Sequence, residues 1–313
     1  MTTFVIGGAG FIGRRVIPLL AERGEDVVCM DINPGQASFD ALGDKVSVVR
    51  GDVTQFDDVM GNMASVKPDR VINLSYHISS DLPPHSALKL NVVGMDNCFE
   101  AARLCGVKHT VFASSLAVSG PQSKFGERQV NEDDPCYGTL QYAMNKIFNE
   151  FQARDYREKY GMCITAVRPA NVTGPDKIFG SVDHVNCMSQ PALGKPVSFP
   201  YRDIMRIPIH VHDMAEIFAR VLMSDSPKHS VYNSGGYSMS MGELADIVCS
   251  YLPNAQITFK HDTGGREKSS NFLIDNSRLV EEFGVQLPSF KNRVLETIND
   301  VRAANGLPAV NGE

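Results

Sequence analysis

A doubly wound parallel α/β sheet with a smaller interleaved C-terminal α/β lobe is the architecture this 313-residue sequence predicts. Three observations carry that expectation. Residues 4–13, Phe-Val-Ile-Gly-Gly-Ala-Gly-Phe-Ile-Gly, run from an apolar strand into a glycine-rich turn. Apolar runs recur at 4–6, 27–30, 46–49, 71–74, 109–113 and 163–167 with helical patterns between most of them, and such alternation implies a parallel sheet covered on both faces. Beyond Arg168 the regularity breaks at Pro169, Gly174, Pro175, Gly180, Pro191, Gly194, Pro196 and Pro200.

Taken in order, the first strand feeds a turn in which each glycine has a task. Gly7 takes the tight turn, Gly10 lets backbone approach a pyrophosphate, and Gly13 lets the following helix lie close on the sheet. The helix predicted from Phe11 to Arg23 opens at Phe11 and Ile12, and its free N–H groups suit phosphates. Pro18 removes one donor inside that helix and is expected to kink it. Val27-Val28-Cys29-Met30 ends in Asp31, close to the distance at which an acid meets an adenosine ribose, followed by Ile32. Later come an apolar run at 207–211, a helix from Asp213, short strands at 230–232 and 257–259, and helices around 240–251 and 290–305. The expected division is a dinucleotide-binding domain at 1–170, with 205–235 returning to it, and a second lobe at 171–204 and 236–313.

Composition limits the function classes. A net charge of -6 and a pI near 5.8, with no basic run, argue against a nucleic-acid platform. No apolar stretch approaches the roughly 18 residues of a membrane span. The first strand begins near Met1 and leaves no room for a signal peptide, so a cytoplasmic location is expected. The seven cysteines are scattered, without CxxC spacing, and read as reduced. His184, His210 and His212 are scattered too, and no metal site is expected.

A second constellation carries chemistry. The fifth apolar run ends in Ser114-Ser115, and Tyr142-Ala-Met-Asn-Lys146 follows. Tyr and Lys at i and i+4 share a helix face. An ammonium beside a phenol favours the phenolate, moving a group with a reference pKa near 10 toward working pH. A serine at a strand end can share that proton and orient a substrate oxygen.

Gly7, Gly10 and Gly13, then Ser115, then Tyr142 and Lys146, in that order, resemble the extended short-chain dehydrogenase/reductase superfamily, specifically its NAD-dependent epimerase/dehydratase branch. The resemblance runs over nearly the whole chain. It implies NAD as cofactor, Ser115, Tyr142 and Lys146 as catalytic residues, and Asp31 and Ile32 at the ribose. Asp52-Val53 matches the adenine contact, and Leu74-Ser75-Tyr76 stands where relatives carry a cofactor strand. Asn91, Lys146, Pro169, Asn171 and Val172 complete the implied cofactor set, the last three within Arg168-Pro-Ala-Asn-Val-Thr-Gly-Pro175. Ile209-His-Val-His-Asp213 resembles a later family segment.

On the substrate side the resemblance implies Ser115, Asn171, Arg206 and Arg266, the arginines standing where relatives clamp a diphosphate. His77 lies near the nicotinamide in this register, as a substrate contact or a core-rim residue. Members that eliminate water or decarboxylate carry acids directly after the catalytic serine or threonine. This chain has Leu116-Ala117, which leaves plain hydride transfer at a secondary alcohol or ketone of a sugar-like molecule. Three readings remain: a nucleotide-sugar epimerase, a dehydrogenase/reductase of a small polyol, hydroxy acid or ketone, and a non-catalytic NAD-binding regulatory protein, against which the intact triad argues. Relatives pair through the YxxxK helix and the one before it, here about 86–105, so a homodimer is expected.

Overall fold

The computed structural model describes residues 1–78 and 82–312. Its centre is a seven-stranded parallel sheet built from β1 (Thr2–Ile6), β2 (Asp26–Asp31), β3 (Val46–Arg50), β4 (Arg70–Asn73), β5 (His109–Ala113), β6 (Ile164–Arg168) and β11 (Val231–Asn233). The strand order is β11-β6-β5-β4-β1-β2-β3, so the direction of winding reverses between β1 and β4. The crevice outside the carboxyl ends at such a switch point is where open α/β sheets take ligands. Every residue of β4 and β6 is buried, as central strands covered on both faces require.

Helices α1 (Gly13–Glu22), α2 (Phe56–Val66), α3 (Pro84–Leu88), α4 (Gly94–Leu104) and α5 (Gln141–Tyr160) lie between the strands. The predicted first helix begins two residues late, at Gly13, and it continues through Pro18. The stretch expected near 86–105 is one helical run in which a π-turn, Lys89–Val93, joins α3 to α4. β7 (Asn171–Thr173) leaves the main sheet and pairs with β10 (Pro208–His210). Between them come α6 (Asp183–Ala192), β8 (Val197–Tyr201) and β9 (Met205–Arg206). The helix expected from Asp213 is α7 (Val211–Met223), which starts two residues earlier because Nδ1 of His210 accepts the His212 amide and caps it. β12 (Met239–Ser240), α8 (Met241–Tyr251), β13 (Ile257–His261), α9 (Ser277–Phe283) and α10 (Phe290–Ala304) complete the chain.

Two cores result. The larger joins Val5, Val16, Ile17, Leu20 and Ile72 to Met214, Phe218 and Leu222 of α7, so α7 covers the sheet beside α1. The smaller joins Met188 of α6, Phe199 of β8, Leu244 and Val248 of α8, and Val294 and Ile298 of α10. Within 236–313, Leu279 of α9 and Val285 pack into the larger core. The α9 segment therefore packs against the sheet on the β11 side, while α8 and α10 of the same range build the smaller core.

Candidate active site

The turn after β1 is built so that side chains are excluded where backbone must come close. Gly7 has φ +75°, and a Cβ there meets the Ser75 amide nitrogen at 2.6 Å. A Cβ on Gly13 meets the Gly8 carbonyl at 2.6 Å, whereas one on Gly10 meets only the Gly7 oxygen, at 3.1 Å. Gly10 thus faces open space. The amides of Phe11 and Ile12 make no hydrogen bond among the described residues, which leaves the opening of α1 free to take an anion. Asp31 closes this cradle: its Oδ2 accepts the Ala9 amide at 3.1 Å and its Oδ1 the Asn33 amide at 3.0 Å. Both oxygens keep a lone pair for ribose hydroxyls. Ile32 is exposed beside it, Asp52 accepts the Thr54 amide, and buried Val53 gives its carbonyl to Asn97 Nδ2 at 2.8 Å. A glycine cradle, a free helix start and an oriented carboxylate fit a dinucleotide.

Across the switch point, the Leu74 amide donates to the Ile6 carbonyl at 2.9 Å and Ser75 Oγ to Asn73 Oδ1 at 2.6 Å. Asn91, in the π-turn, grips the next stretch with both ends of its carboxamide, accepting from the His77 amide and donating to the His77 carbonyl at 3.0 Å each. A π-turn re-aims a side chain in this way. The His77 ring lies 5.7 Å, centre to centre, from Phe179.

Ser114 and Ser115, adjacent at the end of β5, go different ways. Ser114 donates to Glu150, which also holds the buried Arg168 guanidinium through contacts of 2.9 and 2.7 Å. Ser115 accepts the Ala117 amide at 3.1 Å, and its hydroxyl lies close enough to Tyr142 to act on the phenol. Burial raises the Tyr142 phenol above its ordinary pKa, and the Ser115 hydroxyl opposes that rise. Lys146 is fully buried; Nζ donates to the Ala113 carbonyl at 2.5 Å and lies 5.9 Å from the Tyr142 ring centre. Desolvation pushes its pKa well below the usual lysine range, opposed by the Glu150 charge. Tyr76, expected only on the cofactor strand, also packs against this lysine. Its ring centre is 3.2 Å from Lys146 Nζ, and its edge packs on Tyr142 with centres 5.4 Å apart at 87°. A ring face this close stabilises the ammonium form of Lys146 alongside the Glu150 charge. Leu116 points into an apolar cluster with Phe125, Val130, Ile207 and Ile274.

On the far side, the Pro169 carbonyl takes the Leu116 amide at 3.0 Å, and Asn171 Oδ1 takes the Ile207 amide at 2.9 Å. The Val172 carbonyl accepts Lys177 Nζ at 2.7 Å, and burial lowers that lysine's pKa to about 8. Arg206 is already engaged: Nε contacts Asp183 Oδ2 at 3.0 Å. Arg266 sits on the surface against Glu127.

The model of the NAD-dependent epimerase/dehydratase family matches residues 3–235. The chain belongs to that family. A UDP-glucose 4-epimerase from Mycolicibacterium smegmatis is 35% identical over 184 residues, 56% of this chain and 57% of that protein, so the matched part spans little more than half of that relative. The crystal structure of a Thermus thermophilus UDP-glucose 4-epimerase complex with NAD superposes with a TM-score of 0.83 at 25% identity, covering 97% of this chain and all of that one. The holo form of an L-threonine dehydrogenase from Cupriavidus necator shares the fold, with a TM-score of 0.84 at 20% identity over 95% of this chain and 99% of that one.

Within this epimerase/dehydratase frame, Asp183, Lys177 and Glu150 are the polar residues that sequence reasoning did not single out. An acid in the first turn of α6 is a legible helix-start signal, but its partner Arg206 lies 23 residues on. His210, His212 and Glu296, 84 residues apart at the widest step, also come together.

Proposed function

We propose that the protein is an NAD-dependent nucleotide-sugar epimerase working through Ser115, Tyr142 and Lys146. The observation that carries this reading is the pairing of a serine–tyrosine–lysine set at the carboxyl edge of β5 with a Leu116 side chain turned into an apolar cluster. Leu116 places no acid directly after the catalytic serine, which suits hydride transfer and not elimination. NAD, when bound, supplies the hydride acceptor and donor. Tyr142 takes the proton of a secondary alcohol and returns it to the carbonyl oxygen, Ser115 hydrogen-bonds that oxygen, and Lys146 in its charged form works against the burial that raises the phenol. Gly7, Gly10, Phe11, Ile12, Gly13 and Asp31 hold the cofactor, with 171–204 and 236–313 forming most of the lobe over the substrate. His77, Asn171 and Arg206 are assigned to the substrate side. Product analysis with UDP-glucose tests the reading; a catalyst of this kind forms its 4-epimer.

A dehydrogenase acting on a small hydroxy acid, polyol or ketone is the second reading. It is favoured by one feature: Asp183 already occupies Arg206, so a diphosphate must compete for that guanidinium. We also infer a homodimer in the cytoplasm. Met144, Phe148 and Phe151 form an exposed stripe on α5, and Leu88 and Val93 are exposed on the preceding helical run. Apolar patches of this kind mark contact surfaces. Among the described residues no helix is long and apolar enough to cross a membrane. Phe148→Glu is expected to convert a dimer to monomers in light scattering; an unchanged mass sinks the interface.

A further inference from the structure

At the seam between the two cores, a ring nitrogen of His210, a ring nitrogen of His212 and a carboxylate oxygen of Glu296 lie within 4.8 Å of one another. His210 ends β10 and His212 opens α7, which packs in the larger core, while Glu296 comes from α10 in the smaller one. We propose that these three side chains form a binding site for a divalent transition-metal ion of the zinc class, which staples the two lobes together. Two imidazoles and a carboxylate are a donor set that such ions accept, with water in the fourth position.

Three further facts point the same way. His210 is fully buried, yet its Nε2 has no hydrogen-bond partner among the described residues, and a buried imidazole nitrogen without a partner is destabilising. Its Nδ1 takes only the long 3.3 Å bond from the His212 amide. A metal at Nε2 moves the ring proton to Nδ1 and gives up that weak bond. His212 Nδ1 and Glu296 Oε1 are 2.8 Å apart, a hydrogen-bond distance that opens to about 3.4 Å when both hold one tetrahedral ion at about 2.0–2.2 Å. The second carboxylate oxygen of Glu296 is held by Arg293, which also grips Asp213, and such outer partners orient ligands.

Charge does not oppose a dication here. Arg15 shares Asp176 with Arg14, and Arg293 is held between Asp213 and Glu296, so each nearby guanidinium group faces a carboxylate. Asp300, one helical turn beyond Glu296, adds another carboxyl group, whose pKa is raised by burial first and then by the nearby Glu296 charge.

The test is titration of the chelator-stripped, full-length protein with Co2+, followed by visible absorbance, and with Zn2+ followed by calorimetry. One ion should bind per chain, giving the intense visible bands of tetrahedral Co2+. Saturating Zn2+ should raise Tm, as a ligand selective for the folded state must. His212→Ala and Glu296→Gln should each weaken Zn2+ at least about tenfold and abolish the Tm rise, while NAD affinity stays unchanged. His212 is half exposed, so the variant should fold; far-UV circular dichroism and His212→Gln check this. The surface control His261→Ala should bind as wild type. Zn2+ affinity unaffected by His212→Ala, or no binding below millimolar Zn2+, overturns the site.

Discussion

The cofactor edge and the substrate lobe are built by different means. At the edge, the functional groups are mostly backbone, exposed by glycines whose replacement brings a Cβ within 2.6 Å of Ser75 or Gly8 atoms. In the lobe they are charged side chains already matched to one another: Asp183 with Arg206, Glu127 with Arg266. A backbone cradle stands ready for its ligand before binding. An ion-paired arginine must first be released, so on the proposed reading a substrate anion has to compete with Asp183 for Arg206.

Tyr142→Phe marks the sharpest line between them. It removes the proton-transfer oxygen and keeps the ring against Tyr76, so kcat should fall by about 10²–10⁴ while NAD affinity, measured by titration, changes little. Substantial residual turnover breaks the assignment. Asp183→Asn probes the lobe instead. It leaves the Arg206 side chain, 17% exposed, without its carboxylate, which should cost on the order of 3 kcal/mol of stability. The same change should tighten UDP binding if Arg206 meets a diphosphate. Unaltered UDP affinity removes Arg206 from the substrate side.

The pH dependence of that stability loss has a definite sign. Burial alone raises the Asp183 pKa, but hydrogen bonds from His184 and Arg206 outweigh it and hold it below 3.8. A depressed carboxylate contributes its stability above the unfolded value. Wild type should therefore exceed Asp183→Asn by a constant margin from neutral pH down to about 4, and the margin should shrink only in stronger acid. Chemical denaturation at several pH values checks it.

Asp31 tests the cradle. A 2′-phosphate would set like charge against a carboxylate already oriented by two amides. NAD should be preferred over NADP by roughly a hundredfold or more in kcat/KM. Asp31→Ser should shrink that ratio. Equal use of both cofactors by wild type rejects the ribose contact. The smallest effect is at Tyr76: Tyr76→Phe should keep kcat within about twofold, whereas Tyr76→Leu, which removes the cation–π partner of Lys146, should lower it by roughly 2- to 30-fold. Equal losses in the two variants shift its role from the ring to the hydroxyl.

What the sequence made legible follows the same division. The turn at Gly7, the acid at Asp31 and the six apolar runs are local patterns, readable within about ten residues because strand and helix periods are local. They became β1 to β6, and Tyr142 and Lys146 fell on one helix as their spacing demands. The lobe was opaque for the opposite reason. Asp183 meets Arg206 across 23 residues and His212 meets Glu296 across 84, and no period in the sequence encodes such meetings. Asn91 gained its grip on His77 from a π-turn, and α7 started at Val211 because an imidazole capped it.

The most direct measurement is incubation of the purified protein with NAD and UDP-glucose, following sugar stereochemistry by NMR and reduced nicotinamide by absorbance. An epimerase must return the hydride before releasing product. UDP-galactose should appear without matching accumulation of NADH. One equivalent of NADH per substrate consumed, with UDP-glucose or with a small hydroxy acid such as L-threonine, and no epimer formed, would contradict the account.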